Sequence, residues 1–222
     1  MEDNFYDRQY YKDVKPASSA KKNYPARTKA TNFFIGLIDL KPGKKLLDIG
    51  CGDGLFLSAL EDKGLDLWGI DISRKITEVA KKRVSKPEQI ICKDAGQLPF
   101  GNKEFDYITA WGVLEHFPDI AAILEEIRRV MKDGAKAIIM VPNAYYYKFI
   151  WDTLRKGAGP TKHQEIEALF SFKEWKELIE ASGLSVVKTF RHNKFNKSLI
   201  FIWLRNIFIP FYFSNHFIFE CI

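Results

Sequence analysis

Cysteine is scarce in this chain, and its placement argues against two kinds of stabilising site. The 222 residues include Cys51, Cys92 and Cys221, which lie far apart in the sequence. Disulfide frameworks use paired cysteines and structural zinc sites use closely spaced ones, so we expect neither, and we expect no bound metal. Isolated cysteines favour a reducing compartment, and we therefore expect a cytoplasmic protein.

A secretory signal and a long apolar run are also missing. The N-terminus, Met1-Glu2-Asp3-Asn4, lacks the basic start and apolar core of a signal peptide, so we do not expect export. The most apolar stretch, residues 199–213, is shorter than the about 20 residues that a spanning helix needs. Two interpretations of this stretch stay open. It forms a buried or lid-like helix, or it contacts lipid or a hydrophobic substrate and places the protein at the inner face of a membrane.

A strong charge of one sign is absent as well. The chain has 34 Lys and Arg against 28 Asp and Glu, a formal net charge of +6. No basic stripe is interleaved with aromatic residues, so we expect no nucleic-acid partner. With 46% hydrophobic residues, the chain can close one globular domain around a buried ligand. We expect a monomer or a homodimer.

From Lys44 onward, short apolar runs rich in β-forming residues alternate with amphipathic helical stretches. This alternation is typical of βαβ units and predicts an α/β fold with a parallel sheet. The predicted strands are residues 45–49, 66–71, 88–93, 105–111, 135–141, 184–190 and 216–222.

Polar capping residues mark where the predicted helices begin. Ser73 caps the helix after the second strand, and Asp119 caps a helix that ends at Gly134. Ser171 and Glu174 match a capping box, which predicts a helix over residues 172–182.

The tyrosine-rich residues before this alternation show little periodicity. We therefore predict an N-terminal arm or lid over residues 1–31 and a single domain over residues 32–222. The apolar insert occupies about residues 197–214 of that domain.

The glycines at positions 50, 52 and 54 lie between a buried strand and a helix, where the backbone can turn sharply and approach a ligand. A dinucleotide fingerprint would need a further glycine where Leu55 stands, which argues against a nicotinamide-dependent oxidoreductase. Asp71 ends the second strand, where a carboxylate can accept hydrogen bonds from ribose hydroxyls. Asp94 can accept from an adenine amine, and Ala95 leaves its backbone amide free for a ring nitrogen.

Together these segments resemble the class I S-adenosylmethionine-dependent methyltransferase family, in the branch that includes ubiquinone and menaquinone biosynthesis methyltransferases. The resemblance runs from about Leu46 to Asn143. It rests on four motifs in order: Leu-Asp-Ile-Gly-Cys-Gly-Asp-Gly at 47–54, Gly-Ile-Asp-Ile-Ser at 69–73, Asp-Ala-Gly-Gln-Leu-Pro-Phe at 94–100 and Val-Leu-Glu-His-Phe-Pro-Asp at 113–119.

The resemblance implies a Rossmann-like fold, with a seven-stranded, mostly parallel sheet, helices on both faces and an antiparallel last strand. It also implies S-adenosylmethionine as the cofactor and S-adenosylhomocysteine as the product. The cofactor-binding residues that it implies are Asp48, Gly50, Cys51, Gly52, Asp71, Ile72, Asp94, Ala95, Trp111 and Gly112. Arg27 in the arm either pairs with the cofactor carboxylate or has a surface role.

The expected reaction moves a methyl group to an O, N or C atom of a small-molecule or lipid-like acceptor, such as a quinone precursor, an aminosugar or a glycolipid intermediate. For a hydroxyl acceptor, the candidate general bases are His163 and His116. An alternative function is a non-catalytic protein that binds S-adenosylmethionine or a partner. The intact glycines at 50 and 52 argue against that alternative.

Overall fold

The computed structural model describes residues 24–157, 167–193 and 209–222. The helices and strands follow in the order α1 (Tyr24–Gly36), β1 (Lys45–Ile49), α2 (Leu55–Ser58), β2 (Asp66–Asp71), α3 (Arg74–Lys81), β3 (Ile90–Cys92), β4 (Phe105–Trp111), α4 (Ile120–Val130), β5 (Met131–Pro142), α5 (Tyr147–Lys156), α6 (Phe172–Ala181), β6 (Val186–His192) and β7 (His216–Cys221). Short 3-10 helices connect several of them.

The strands form one seven-stranded sheet in the order β3-β2-β1-β4-β5-β7-β6. Strand β1 pairs with β2 in parallel, and β2 pairs with β3 in parallel. Strand β7 runs antiparallel to both β5 and β6. The order steps outward from β1 and then reverses toward β4, as in doubly wound sheets. The predicted fold class, a mostly parallel Rossmann-like sheet with an antiparallel last strand, is confirmed.

The chain is divided into two compact units. The first holds the described residues from Tyr24 to Thr109 together with Val130–Ala135. Its core is built from side chains of β1, α2 and β2 that are fully buried, including Leu46, Leu47 and Ile70. Burial on this scale is typical of the apolar strands of a covered parallel sheet.

The second unit comprises the described parts of Ala110–Arg129 and Lys136–Ile222. Its largest buried side chains are Trp175, Phe217 and Phe219. The indole Nε1 of Trp175 donates to the carbonyl of Pro142 at 2.8 Å, so this large buried ring keeps a hydrogen-bond partner.

The predicted caps are confirmed. The Ser73 hydroxyl accepts from the Ile76 backbone amide at 3.3 Å, and Asp119 accepts from Ala122 at 3.0 Å. Ser171 and Glu174 form both halves of the capping box. These contacts join neighbours in the sequence, which is why the sequence alone predicts them.

Gly134 was predicted to end α4, and that prediction is wrong. The helix ends at Val130, and Gly134 lies within β5 with a φ of 75°. The carbonyl of Val130 accepts from the Glu104 backbone amide at 2.8 Å. This contact with a distant part of the chain takes the backbone out of the helix before the glycine is reached.

Other strand boundaries also differ from prediction. Strand β3 is only Ile90–Cys92, because Pro87–Gln89 forms a 3-10 helix in place of the first predicted residues. Strand β6 is Val186–His192, displaced from the predicted 184–190. Its pairing with β7 reaches His216 opposite His192, and this register sets where β6 ends.

The predicted boundary of the arm at Thr31 falls inside α1. Residues 197–208, which make up most of the apolar insert, lie outside the described residues. At the end of the insert, Phe211–Phe213 forms a 3-10 helix, and the Phe211 ring lies 5.3 Å from the Phe172 ring. In the described residues, no helix is long and apolar enough to cross a membrane.

Candidate functional site

A tight glycine turn follows β1 in the first unit. Gly50, Gly52 and Gly54 have φ values of 68°, 54° and 73°, which are left-handed conformations that favour glycine. The amide of Gly50 donates to the carbonyl of Ile70 at 2.8 Å. A Cβ built on Gly52 would meet no atom within 4 Å. The turn is therefore fixed to β2 on one side and open at Gly52.

Asp71 at the end of β2 holds this turn in place. Its Oδ2 accepts from the Gly52 amide at 3.0 Å, and its Oδ1 accepts from the Ser73 amide at 2.9 Å. The side chain is buried. The carboxylate predicted to bind ribose thus also joins the glycine turn to the start of α3.

Asp48 lies in β1, two residues before the first glycine of the turn, and is only 2% exposed. The Thr109 hydroxyl donates to its Oδ1 at 2.6 Å. Burial raises the pKa of Asp48 to about 7, against the lowering effect of the Thr109 hydrogen bond and with a further increase from the Asp71 charge. Asp48 and Asp71 thus form an acidic pair, in which the pKa of the Asp48 carboxyl lies near neutral pH.

Two more groups shape the turn. Burial raises the pKa of the Cys51 thiol well above its usual range, and the charges of Asp48 and Asp71 add to this effect. The Cys51 side chain is therefore a neutral, buried part of the turn. Asp53 pairs with Arg83 at 3.2 Å, so its charge is compensated locally.

Close packing behind the turn involves Gly69 in β2. A Cβ at this position would lie 2.7 Å from Cδ1 of Leu57 and 2.9 Å from Sγ of Cys51. A Cβ atom essentially never comes this close to another heavy atom that is not bonded to it, so a side chain at residue 69 would force Leu57 or Cys51 to shift.

Asp94 and Ala95 follow β3, as predicted. Asp94 is exposed and caps a 3-10 helix over Ala95–Gln97 by accepting from the Gly96 amide at 2.8 Å. Ala95 is buried. Ile72, between Asp71 and Ser73, is half-buried, and its carbonyl lies 3.7 Å from the Cys92 sulfur.

In the second unit, Trp111 ends β4 and Gly112 follows it with a φ of 63°. The Gly112 amide donates to the carbonyl of Met140 at 2.9 Å. A Cβ on Gly112 would lie 3.5 Å from Oε1 of Glu115, so this carboxyl lies close beside the backbone after β4.

Glu115 is a buried acid that the sequence analysis did not single out. It is 5% exposed, and its Oε2 has no hydrogen-bond partner among the described residues. Burial raises the pKa of Glu115 to about 8, with the Glu167 charge as a smaller contribution in the same direction. His116 lies beside it, with Nε2 3.9 Å from Oε1 of Glu115.

Two predicted residues cannot be placed in the site. Arg27 lies in α1, but its side chain is outside the described residues. His163 also lies outside them. In the first unit, the structure brings together Asp48, the turn at 50–54 and Asp71, and it adds Thr109, which the sequence analysis missed. Thr109 lies in another strand, and no motif pointed to it.

Comparison with known proteins identifies the family of this chain. A family model described as a methyltransferase domain matches residues 21–189, well over half of the chain. The chain belongs to the class I S-adenosylmethionine-dependent methyltransferase family. The family resemblance predicted from the sequence is therefore confirmed, and the chain is a methyltransferase that uses S-adenosylmethionine.

The curated relatives of this methyltransferase include an uncharacterised protein and an enzyme named for ubiquinone biosynthesis. An uncharacterised protein of Methanocaldococcus jannaschii is 33% identical over 181 residues, covering 72% of this chain and 69% of the relative. A ubiquinone biosynthesis O-methyltransferase of Coxiella burnetii is 32% identical over 154 residues, covering 64% of this chain and 65% of the relative. The chain thus spans slightly less than two thirds of the length of the Coxiella enzyme.

Solved structures show the same fold. The putative methyltransferase from Haloferax volcanii, in complex with the Trm112 methyltransferase activator, superposes with a TM-score of 0.72 at 18% identity, covering 100% of this chain and 98% of that one. A methyltransferase from Aquifex aeolicus that depends on S-adenosylmethionine has a TM-score of 0.65 at 17% identity. The match covers 94% of this chain and 99% of the Aquifex chain. At these identities the likeness supports the fold.

Proposed function

We propose that this methyltransferase binds S-adenosylmethionine on the glycine turn of the first unit and transfers the methyl group to an O, N or C atom of a small-molecule or lipid-like acceptor. The observation that carries the proposal is the buried acidic pair, Asp48 and Asp71, beside a glycine turn that is open at Gly52. A sulfonium and an ammonium group give the cofactor positive charge, which such a pair attracts.

The family resemblance implies the role that we propose for each residue, and the position of each residue near a strand end is consistent with that role. Gly50, Cys51 and Gly52 flank the methionine part, since the absent side chain at Gly52 leaves room there. Asp71 binds the ribose hydroxyls, with Ile72 beside it. Asp94 and the amide of Ala95 bind adenine.

Three further residues complete the proposed cofactor contacts. Trp111 and Gly112 border the reactive methyl group, as the family resemblance implies for the end of β4. Arg27 pairs with the cofactor carboxylate.

Asp48 holds the amino group of the cofactor, directly or through water. Burial raises its pKa to about 7, which supports this role, because a buried carboxyl that is costly to ionise is stabilised in its charged form by a bound ammonium group. Cofactor binding should therefore lower the pKa of Asp48 and release a proton near neutral pH. The uptake or release of protons can be measured directly by comparing buffers with different ionisation enthalpies.

The bound cofactor supplies a methyl group on a sulfonium, which an acceptor atom attacks in line. The chain contributes by placing both reactants and excluding water. Where the acceptor is a hydroxyl, a base within hydrogen-bond reach assists, and we propose His116 or His163 for this role. His116 is the one of these two within the described residues, half-buried beside Glu115.

The acceptors proposed are a quinone precursor, an aminosugar or a glycolipid intermediate. The quinone precursor comes first because the Coxiella relative is named for ubiquinone biosynthesis. Methyl transfer would be followed as S-adenosylhomocysteine release with a catechol-containing quinone precursor, an aminosugar and a glycolipid in parallel. If none of the three acceptors stimulates S-adenosylhomocysteine release, these three classes are excluded as substrates.

Calorimetry with a matched pair of variants tests the cofactor site. Asp71→Asn removes the charge next to Gly52, and we expect S-adenosylmethionine and S-adenosylhomocysteine to bind about tenfold or more weakly, because charge-assisted hydrogen bonds are lost. Asp66→Asn removes a carboxylate from the other end of the same strand, where Trp68 and Gln89 bind it, and should leave affinity unchanged. A folded Asp71→Asn variant with wild-type affinity would overturn the assignment.

A further inference from the structure

Helix α5 carries an exposed apolar surface. None of its 10 residues is buried, and Trp151 and Leu154 are 64% and 78% exposed. Tyr147 on the helix and Tyr145 just before it are also exposed. Single exposed apolar side chains are common, but a contiguous group of this size marks a surface that binds something.

The exposed residues lie on one side of the helix. Tyr147, Trp151 and Leu154 follow one another at spacings of four and three residues, so they form a continuous stripe, which we call the α5 face. Phe149, in contrast, is half-buried, and its ring lies 5.3 Å from that of Tyr146. Phe149 therefore lies on the less exposed side of the helix, opposite the α5 face.

Basic side chains border the α5 face. Lys148 lies three residues before Trp151 and Arg155 four residues after it, so both lie on the same side of the indole, one helical turn before it and one after it. Within residues 24–157, 167–193 and 209–222, neither forms an ion pair. The acidic residue of α5, Asp152, pairs with Lys156 at 3.3 Å. Positive charge thus lies along one side of an apolar stripe that contains no carboxylate.

We propose that the α5 face lies on an anionic lipid surface. Trp151 and Leu154 enter the boundary between headgroups and acyl chains, while Lys148 and Arg155 extend to the lipid phosphates. Tryptophan and tyrosine prefer this boundary because one side of the ring is apolar and the other is polar. A lipid surface of this kind binds helices that combine aromatic, aliphatic and basic side chains, as α5 does.

The same residues argue against two other occupants. A two-fold contact between copies of the chain, centred on Trp151, would bring identical basic side chains together with no acid to offset them. A single-stranded nucleic acid would stack its bases on aromatic rings, but the most exposed residue of the α5 face is the aliphatic Leu154.

Vesicle flotation tests the proposal on the wild-type chain. We expect the protein to float with vesicles in which about a third of the phosphatidylcholine is replaced by phosphatidylglycerol, and to stay behind with phosphatidylcholine alone. Raising the salt concentration should weaken binding, because it screens Lys148 and Arg155 from the phosphates. A wild-type protein that ignores anionic vesicles would overturn the proposal.

Two double variants separate the apolar and the electrostatic contributions. Trp151→Ser with Leu154→Ser should lower the vesicle partition coefficient about tenfold or more. Val187→Ser, which removes an exposed apolar side chain from β6, should not change it. Lys148→Gln with Arg155→Gln should lower partitioning onto anionic vesicles. Lys173→Gln with Lys176→Gln changes the net charge equally on α6 and should have a smaller effect.

The charge variant keeps the test decisive if the serine variant fails to fold, because Lys148 and Arg155 are exposed and their substitution buries no new polar group. Partitioning that neither double variant alters would overturn the proposal. A second result would also overturn it: the wild type does not bind vesicles but sediments as a dimer, and the serine variant sediments as a monomer. The α5 face would then bind a second copy of the chain. Flotation does not depend on methyl transfer, so its failure leaves the cofactor proposal to calorimetry.

Discussion

Replacing Asp48 by Asn should stabilise the cofactor-free protein in a pH-dependent way. The pKa of Asp48 is raised from 3.8 to about 7 by burial, so between these pH values the folded protein keeps a proton that the unfolded chain has released. The free energy of unfolding therefore falls as the pH rises through this window and levels off above the folded pKa. Asn is close in size, and its side-chain oxygen can still accept from Thr109.

The size of the effect follows from the difference between the folded and unfolded pKa values. A tenfold change in an acid dissociation constant corresponds to about 1.4 kcal/mol, so the penalty carried by ionised Asp48 grows by about 2–3 kcal/mol between about pH 5 and about pH 8. The gain in unfolding free energy from Asp48→Asn should increase by that amount between the two pH values. Glu115, whose pKa is raised to about 8, steepens the pH dependence of both proteins equally and cancels from the comparison.

Urea unfolding followed by circular dichroism at both pH values measures this difference. Asp106→Asn is the control. Although partial desolvation opposes it, hydrogen bonds from Lys132, Lys44 and the Lys45 amide lower the pKa of Asp106 to about 2. Asp106 is thus ionised in the folded and unfolded states at both pH values, and its substitution should destabilise the protein equally at each. A stability difference for Asp48→Asn that stays constant between the two pH values would refute the reasoning.

Two further substitutions test local packing and capping. Gly69→Ala should lower the free energy of unfolding by about 1–3 kcal/mol, because the new methyl group overlaps Leu57. Gly36→Ala is the control and should be tolerated, because a Cβ at that position would meet no atom within 4 Å. Equal thermal stability of the two variants would contradict the close approach at Gly69. Ser171→Ala should cost about 1 kcal/mol by removing the cap of α6, whose hydroxyl accepts from the Glu174 amide at 3.3 Å, and urea unfolding with an unchanged midpoint would show that the cap contributes little.

Much of the fold could be predicted because its signals are local. The bounds of β1, β2 and β4 are those predicted, since each is a short apolar run closed by polar or glycine residues. The capping box of α6 involves residues only three positions apart. In contrast, the end of α4 was misplaced because it depends on a hydrogen bond between Glu104 and Val130, which no local pattern reveals.

The sequence by itself determined the family, the α/β architecture and the order of motifs along the chain, because strand and helix periodicity, caps and the glycine turn are all written in neighbouring residues. Only the tertiary structure decided which distant groups share an environment. It brought the Thr109 hydroxyl to Asp48 and joined Asp71 to the Gly52 amide. It also buried Glu115, whose Oε2 accepts no hydrogen bond within the described part of the chain. Ionisation depends on burial and on neighbouring charges, and both are set by how the chain packs.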